Sequence, residues 1–121
     1  MGEFTFRKEE RITKEKSIQE LFSKGSSFYL FPFKVYFMPN PDLESTFHQV
    51  LISVSKRNFK RAVDRNLIKR RIREAYRLNK NLLPADRKLH IAYIYSVKEI
   101  LPSVQIHERL VKTFKRLGNA A

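Results

Sequence analysis

Residues 56–77 read KRNFKRAVDRNLIKRRIREAYR, and this stretch decides how the chain must fold. Ten of the 25 Lys and Arg residues lie in it beside two acids, so ten positive charges less two negative ones place +8 of the formal +13 here. Apolar residues recur within the stretch at the spacing of an amphipathic helix, which turns by about 100° per residue. We therefore predict a helix over residues 62–80 that presents a cationic face and packs its apolar face on a core.

The two faces of this helix separate cleanly. The cationic arc spans roughly 140° and contains Arg65, Asn66, Lys69, Arg70, Arg73, Tyr76, Arg77 and Lys80. The apolar side contains Val63, Leu67, Ile68, Ile72, Ala75 and Leu78. Arg71 falls inside the apolar side, and we expect it to pair locally with Glu74 or Asp64 while its stem covers the core.

The cationic arc favours binding to a polyanion. The Lys- and Arg-rich face of a helix is usually a solvated charged surface, but such faces normally interleave acids four residues away from the cations. This arc holds no acid, and most of its cations are arginines. The planar guanidinium of arginine suits phosphates and stacked bases. The preceding loop, close to helix N-terminal amides that themselves attract anions, adds Lys56, Arg57, Lys60 and Arg61.

The composition describes one ordinary domain, residues 1–121, with disorder allowed for about residues 1–10. Ten Phe and five Tyr supply large core side chains, and the absence of Cys excludes disulfides and thiolate metal sites. No apolar run is long enough for a membrane span or a signal peptide, so we expect a soluble, cytoplasmic protein. The sequence pI of about 10.3 indicates nucleic acid, an anionic membrane surface or an acidic protein as partner.

Apolar periodicity predicts the remaining elements. They are a helix over residues 13–24, strands over 28–38, 50–55 and 89–96, and a helix over 103–117. Thr13 and Ser103 are the predicted N-terminal caps, and Gly25 and Gly118 the predicted terminators. This order describes an α+β fold with one sheet, in which the strand–helix–strand unit over residues 50–96 would be right-handed by default.

The histidines and acids do not form a catalytic or metal-binding pattern. His48, His90 and His107 lie on separate elements without partner ligands at metal spacing, so each is expected to be a surface or hydrogen-bonded histidine. No Ser–His–Asp arrangement, paired carboxylates or Gly-rich phosphate loop is present. The residues alone therefore predict an RNA-binding module without catalytic residues.

The stretch over residues 53–77 resembles the signature of the protein subunit of bacterial ribonuclease P. The core of the resemblance is Ala62-Val63-x-Arg65-Asn66-x-x-Lys69-Arg70-x-x-Arg73-Glu74. It continues through the flanks, at Leu21-Phe22-Ser23-Lys24-Gly25, at Phe33 and Tyr36, and at Thr113-Phe114-Lys115-Arg116-Leu117. Three positions depart from the family pattern: Leu67 replaces a third basic residue, Ile18 a frequent aromatic, and Arg71 an apolar residue.

The resemblance implies a single-domain two-layer α+β sandwich with the order α-β-β-β-α-β-α and a left-handed βαβ crossover, against the default hand. It also implies a protein cofactor of an enzyme whose catalytic part is RNA and which removes the 5′ leader from precursor tRNA by metal-assisted hydrolysis. The expected partners are then the catalytic RNA and precursor tRNA, with no membrane and no obligate protein partner. No cofactor is bound by dedicated residues, and Mg²⁺ is expected through the RNA.

The resemblance also assigns residues to two surfaces. Arg65, Asn66, Lys69, Arg70 and Arg73 correspond to the RNA-contacting helix face, and Lys56 and Arg57 to the mouth of a cleft. Together with the arc and loop above, the predicted RNA-binding set is Lys56, Arg57, Lys60, Arg61, Arg65, Asn66, Lys69, Arg70, Arg73 and Arg77. The predicted leader-binding cleft contains Phe22, Lys34, Tyr36 and Ser53. Strand alternation supports this, since Lys34 and Tyr36 share the face opposite Phe33, which we assign to the core.

Two alternatives remain open at this point. A general RNA-binding or ribosomal-type protein would share the basic helix but would not need a cleft for an unpaired leader. A membrane-surface helix would need its apolar side free rather than packed on the sheet.

Overall fold

Alternating apolar residues build one four-stranded sheet flanked by three helices. The computed structural model describes residues 8–42 and 46–120. The helices are α1 (Glu15–Lys24), α2 (Ala62–Asn79) and α3 (Ser103–Ala120), and the strands are β1 (Ser26–Leu30), β2 (Phe33–Pro39), β3 (Gln49–Val54) and β4 (Leu89–Tyr95). The α+β class and the order α-β-β-β-α-β-α are as predicted.

The sheet has the strand order β1-β2-β4-β3. β2 pairs antiparallel with both β1 and β4, whereas β3 pairs parallel with β4. A parallel neighbour requires a crossover connection, which α2 supplies. The hand of this crossover stays a prediction from the family resemblance. The strand predicted over residues 28–38 is in fact the β1–β2 hairpin, turning at Phe31 and Pro32, whose peptide bond is cis.

The main core lies between the sheet and the α2–α3 layer. Apolar side chains of alternate positions point into it from all four strands, as sheet alternation requires, and Phe33 is fully buried there as predicted. The buried residues that α2 and α3 contribute include Ile68, Ile72, Tyr76, Ile106, Leu110, Phe114 and Leu117. At its centre the hydroxyls of Tyr93 and Thr113 are hydrogen-bonded at 2.8 Å, so these two buried polar groups satisfy each other.

α1 covers part of the opposite face of the sheet. Its Leu21 is fully buried against Ile12 and Ala92. Partly buried side chains surround this smaller cluster: Ile18, Tyr36, Met38 and Leu51. Ile18 of α1 therefore packs toward the sheet. The sheet beyond this cluster is left uncovered by the helix.

Three of the four predicted helix-end residues act differently from expectation. α1 begins at Glu15 with Lys14 in the cap position and no capping side chain, so Thr13 is not its cap. Ser103 is the first helical residue of α3, and the Pro102 carbonyl accepts the hydrogen bond from Ile106 that begins the helix. α3 also continues through Gly118 to Ala120, because one glycine lowers helix propensity without forcing termination.

Gly25 does end α1, but for a steric reason rather than a left-handed conformation. Its φ is −73° and its N–H donates to the Leu21 carbonyl. A Cβ at this position would collide with that same carbonyl oxygen and approach the Phe37 carbonyl oxygen to 3.0 Å. The close approach of two backbones therefore requires glycine here.

The segment before α1 is ordered along the sheet edge. Lys8–Glu10 forms a turn of 3-10 helix, Arg11 bridges to Val50, and the Ile12 N–H donates to the Val50 carbonyl at 3.1 Å. The buried Glu10 carboxylate lies 2.7 Å from Lys80 Nζ. The disorder allowed for about residues 1–10 is thus wrong for residues 8–10, and residues 1–7 lie outside the described part.

Candidate nucleic-acid interface

The outer side of α2 presents a cationic ridge, formed by Arg65, Asn66, Lys69, Arg70 and Arg73. Asn66 and Arg70 are exposed, and the other three are half-buried at the flanks. Within residues 8–42 and 46–120, no carboxylate lies within ion-pair distance of the four ridge cations. Their charges therefore face solvent without local neutralisation, which strengthens the field that attracts a polyanion.

Packing of the apolar side of α2 holds the ridge outward. Ile68 and Ile72 are fully buried, and Tyr76 is 1% exposed with its ring against Phe114. The prediction that Tyr76 lies on the cationic arc is wrong, because Phe114 of α3 covers its ring and Tyr76 belongs to the buried face. Burial also raises the pKa of the Tyr76 hydroxyl. Since Ile68 and Ile72 at the centre of the apolar side are packed on protein rather than free, the requirement of the membrane-surface alternative is not met.

The buried face of α2 is consequently rotated toward Tyr76 relative to the predicted one. Val63 and Leu78, predicted on the apolar side, are 59% and 41% exposed. Leu67, which stands where the family usually has a third basic residue, is half-buried beside them. Leu67 thus lies at the border between the ridge and the packed face, where it adds no charge.

Arg65 joins the ridge to the loop before α2. Its Nη1 donates to the carbonyl oxygens of Phe59, at 2.7 Å, and Lys60, at 3.0 Å. Phe59 is buried in the core, so two contacts anchor this basic loop (residues 55–61): the Phe59 side chain and the hydrogen bonds from Arg65. Its four cations are exposed and lie beside the ridge: Lys56, Arg57, Lys60 and Arg61.

Two predicted contact residues are partly neutralised by acids of their own helix. Arg61 Nε lies 3.9 Å from an Asp64 carboxylate oxygen, and Arg77 pairs with Glu74. The hydrogen bond from Arg77 lowers the pKa of Glu74. Both pairs are at the surface, where such contacts contribute little and exchange readily with solvent. Arg61 and Arg77 are therefore at the margins of the cationic surface.

Arg71 is structural, as predicted, but by a different contact. Its Nη1 donates to the Leu101 carbonyl at 2.7 Å, tying α2 to the start of α3. The expected pairing with Glu74 or Asp64 is wrong because each of these acids pairs with another arginine. Lys80, placed on the cationic arc by periodicity, is likewise held by Glu10.

The ridge borders a groove on each side. Lys69 and Arg73 line a cavity of about 200 Å³ together with the N-terminal segment and β3, formed by Arg11, Ile12, Thr13, Val50, Leu51 and Ile52. Arg70 faces the other way, into a groove of about 690 Å³ between α2 and α3. The ridge therefore stands between two recesses, so its side chains can reach phosphates from more than one direction.

The predicted cleft residues meet on the face of the sheet that α1 leaves open. The strand register aligns Tyr29, Lys34, Ile94 and Ser53 in one row across β1, β2, β4 and β3. Because Lys34 and Ser53 are two strand spacings apart, about 10 Å of sheet separates them. This row follows the one that α1 covers, so it forms an open floor beside the helix.

Aromatic side chains form the wall of this cleft. The rings of Phe22 on α1 and Tyr36 on β2 are edge to face, with centroids 4.8 Å apart. Lys34 Nζ lies 5.7 Å from the Tyr36 centroid. We define the aromatic cleft as Phe22, Tyr29, Lys34, Tyr36, Ser53 and Ile94. Rings, a cation and a hydroxyl on an open face suit single-stranded nucleic acid, because every base offers a π-face for stacking.

Sequence reasoning missed two members of the aromatic cleft. Tyr29, which is 52% exposed, and Ile94 occupy the same row as Lys34 and Ser53. The signal that would have found Tyr29 is Pro32, since placing a hairpin turn there pairs Tyr29 with Lys34. A single strand over residues 28–38 would not pair Tyr29 with Lys34.

The three histidines have structural surroundings. Among residues 8–42 and 46–120, no group of three or more His, Cys, Asp or Glu side chains is placed to hold a metal ion. His90 Nε2 lies 2.7 Å from Gln49 Oε1, and His107 Nε2 lies 3.0 Å from Asn79 Nδ2. His48 is bonded on both ring nitrogens. Each is the hydrogen-bonded histidine that was predicted.

In the part of the chain that the structure describes, no helix is long and apolar enough to span a membrane.

An α+β domain with a cationic helix ridge beside an aromatic cleft defines an RNA-binding protein. Residues 6–118 match the family model described as Ribonuclease P. The chain belongs to the ribonuclease P protein family, as the resemblance in its sequence indicated.

Relatives and solved structures agree with this membership. The ribonuclease P protein component of Porphyromonas gingivalis is 34% identical over 113 residues, which is 90% of this chain and 82% of the relative. That of Dictyoglomus turgidum is 33% identical over 122 residues, covering 98% of this chain and 97% of the relative. The structure of the RNase P protein from Thermotoga maritima has a TM-score of 0.75 at 27% identity, covering 88% of this chain and 96% of that one. The Staphylococcus aureus RNase P protein structure has a TM-score of 0.69 at 29% identity, covering 89% and 94%.

The chain is thus a protein subunit of ribonuclease P, an endoribonuclease of tRNA 5′ maturation, and its partner is the ribonuclease P RNA. The α+β fold and the ribonuclease P subunit role implied by the resemblance are confirmed.

Proposed function

We propose that this subunit binds the catalytic RNA through the cationic ridge and the basic loop, and the 5′ leader of precursor tRNA in the aromatic cleft. The observation that carries the proposal is the course of β3. Ser53 near its end lies on the cleft floor, and Lys56 and Arg57 follow directly in the basic loop. One short segment therefore connects the two surfaces, so RNA held by one surface is close to RNA held by the other.

The ridge suits a folded RNA because it offers charge without base recognition. Four cations, free of carboxylates within the described ranges, can each displace counterions from a phosphate, and this release dominates non-specific affinity. Three of the four are arginines, which grip phosphate oxygens in a planar, bidentate geometry. Binding on this surface should therefore depend steeply on salt.

The aromatic cleft suits an unpaired leader of variable sequence. Stacking of a base on an aromatic ring contributes roughly 1–3 kcal/mol and tolerates any base. Lys34 beside Tyr36 adds one phosphate contact, and the Ser53 hydroxyl can donate or accept a hydrogen bond. The cleft is open along the row from Tyr29 to Ser53, which gives the leader a path toward the basic loop.

In this proposal the chemistry belongs to the RNA, and no residue of this chain is catalytic. The fold holds the leader and the catalytic RNA in a fixed relative position. Binding to the protein therefore lowers the entropic cost of bringing the two RNAs together. Mg²⁺ is held by the RNA rather than by dedicated side chains. The protein needs no membrane and no obligate protein partner, and it works in the cytoplasm, where its RNA partners are made.

The decisive experiment is reconstitution with the cognate catalytic RNA at low magnesium. We expect the chain to restore leader removal, and the complex to hold precursor tRNA more tightly than mature tRNA. Replacing Lys69 and Arg73 with Gln should weaken binding of the catalytic RNA and lower its log–log salt slope by roughly 0.7–0.9 for each phosphate that is no longer neutralised. Equal affinities for precursor and mature tRNA would overturn the leader-binding proposal, and an unchanged salt slope would overturn the ridge.

A further inference from the structure

A second cationic surface lies on α3, on the other side of the helical layer. We call it the α3 stripe, and it consists of Arg109, Lys112 and Arg116. The Arg116 guanidinium carbon lies 4.6 Å from the centroid of the Phe28 ring, and that of Arg109 lies 5.7 Å from the centroid of the Phe31 ring. Both rings belong to the β1–β2 hairpin, so α3 and the hairpin build this surface together.

The three side chains share one side of α3. Residues three, four and seven positions apart are neighbours on a helix surface, and 109, 112 and 116 have this spacing. Within the described ranges none of them forms an ion pair. Glu108 lies at the border of the stripe, four residues before Lys112, which is the favourable spacing for a pair, yet the two do not pair. The stripe therefore carries three positive charges toward solvent.

Stacking on phenylalanine orients the planar guanidinium groups of the two arginines for binding an anion. A guanidinium over a ring uses its π-face and leaves its five N–H donors for other partners. An arginine stem also covers apolar surface, and such cover alone would explain the contact with buried Phe28. It does not explain Lys112, which is exposed between the two arginines and has no aromatic ring beneath it among the described residues. A row of three cations, two of them with guanidinium groups already oriented, matches successive phosphates of a nucleic-acid backbone.

The α3 stripe is separate from the cationic ridge. β1 is one edge of the sheet and β3 is the other, and α2 packs on β3 while Arg116 of α3 reaches Phe28 of β1. Two packed helices therefore stand between the outer flanks of the two surfaces, a separation on the order of 20 Å. This exceeds the screening length of about 8 Å at physiological salt, so the two surfaces attract anions independently.

We propose that the α3 stripe is a second RNA-binding surface that holds the phosphodiester backbone of an RNA segment distinct from the one on the ridge. The inference rests on the proposed function in one respect, which is that the partner is RNA. Two surfaces on opposite flanks would let one small domain clamp two segments at once. The second contact would then form at high effective concentration, which increases affinity without any new contact at the ridge.

The test compares two variants of equal charge. In the first, Arg109→Gln, Lys112→Gln and Arg116→Gln remove the α3 stripe. In the second, Lys14→Gln, Lys16→Gln and Lys98→Gln remove three exposed cations that lie outside the stripe, the ridge, the basic loop and the aromatic cleft. The salt dependence of binding is measured with the catalytic RNA alone and with precursor tRNA added to the preformed complex. We expect the first variant to lower the log–log slope in one of these two arms by about 2 to 2.7, at 0.7–0.9 for each phosphate that is no longer neutralised.

The outcomes separate this inference from the proposed function. Equal losses in both variants would show a net-charge effect, and an unchanged slope for the first variant in both arms would likewise overturn the α3 stripe. If the Lys69→Gln, Arg73→Gln ridge variant also left the slope unchanged, the proposed function would fail as well. Should the triple variant not fold, Lys112→Glu keeps both stacked arginines, and Lys98→Glu is its matched control. A loss of slope in the former alone supports the stripe, and equal effects overturn it.

Discussion

The rings of Phe22 and Tyr36 meet edge to face, with an interplanar angle of 75° and 4.8 Å between their centroids. One ring comes from α1 and the other from β2, so the contact fixes the helix against the open part of the sheet. Each ring restricts the rotamers of the other before any ligand arrives. A base that stacks here consequently loses less free energy to side-chain ordering than it would on an isolated aromatic residue.

We predict that Tyr36→Ala weakens binding of precursor tRNA by about 1–3 kcal/mol, the range for one stacked base. The salt slope should stay the same because no charge is removed. The measurement is the Kd of precursor and mature tRNA for the reconstituted complex over a series of salt concentrations. Tyr36→Phe, which keeps the ring, should bind precursor nearly as the original chain does. An equal loss for mature tRNA would contradict a leader-specific cleft.

Arg65 should act on RNA binding through the shape of the basic loop as well as through its charge. Arg65→Lys keeps the charge but cannot reproduce the forked contact with the Phe59 and Lys60 carbonyls. We expect the free energy of unfolding to fall by about 1.5 kcal/mol, the scale of a hydrogen bond from a charged donor. Amides of residues 55–61 should exchange faster with solvent, and the catalytic RNA should bind more weakly with an unchanged salt slope.

The control for Arg65 is Lys69→Arg, which preserves charge at a ridge position with no carbonyl partner in the described structure. It should leave hydrogen exchange in the basic loop unchanged. If Arg65→Lys also left that exchange unchanged while it lowered affinity, Arg65 would act only as a direct phosphate contact.

The long helix could be predicted from sequence almost to its ends. Its apolar and cationic residues follow one period over five turns, so local chemistry alone predicts residues 62–80, and the structure has Ala62–Asn79. The hairpin could not be predicted in the same way. Apolar residues alternate through both β1 and β2, and no Gly or Asn marks the turn, so Pro32 was the only signal.

Side chains whose role depends on distant residues escaped prediction. Tyr76 is buried because α3 packs beside it, and helical periodicity carries no information about that neighbour. Periodicity places Lys80 on the cationic arc, but Glu10, 70 positions earlier in the chain, holds it. The ridge cations were predictable because helical periodicity alone places them on one arc of α2, outside the arc that holds Ile68 and Ile72.

The Glu10–Lys80 pair should contribute strongly to stability. Glu10 is 3% exposed, so Lys80→Met would leave a buried carboxylate without its ammonium partner. Removing one partner of a buried pair costs about 3–5 kcal/mol, whereas removing both charges is far less costly. We expect Lys80→Met to lower the free energy of unfolding by about 3 kcal/mol and the added Glu10→Gln to restore much of the loss. Urea unfolding of the single and double variants measures this coupling, and additive losses would contradict it.

His48 is held as a neutral ring between two loops. Its Nε2 lies 2.9 Å from the Pro84 carbonyl oxygen, to which it donates, and its Nδ1 accepts the Leu89 N–H at 3.1 Å. Both bonds require the tautomer with the proton on Nε2, since a doubly protonated ring could not accept from Leu89. Burial, assisted by the positive charge of Lys88, lowers the pKa of His48 from 6.5 to about 4 against the opposing effects of the Pro84 carbonyl and Glu10.

Stability should therefore decline as the pH falls from about 6.5 to about 4. In this window the unfolded chain gains a proton at His48 and the folded chain does not, so the free energy of unfolding falls by at most about 1.4 kcal/mol per pH unit from this residue. Above the window both states are neutral, and below it both are protonated, so the contribution is constant. His90, whose pKa burial also lowers, acts in the same direction. His48→Gln should thus be less stable at neutral pH but lose less stability on acidification. Urea unfolding across this pH range measures both effects, and a decline as steep as that of the original chain would show that His48 is not its source.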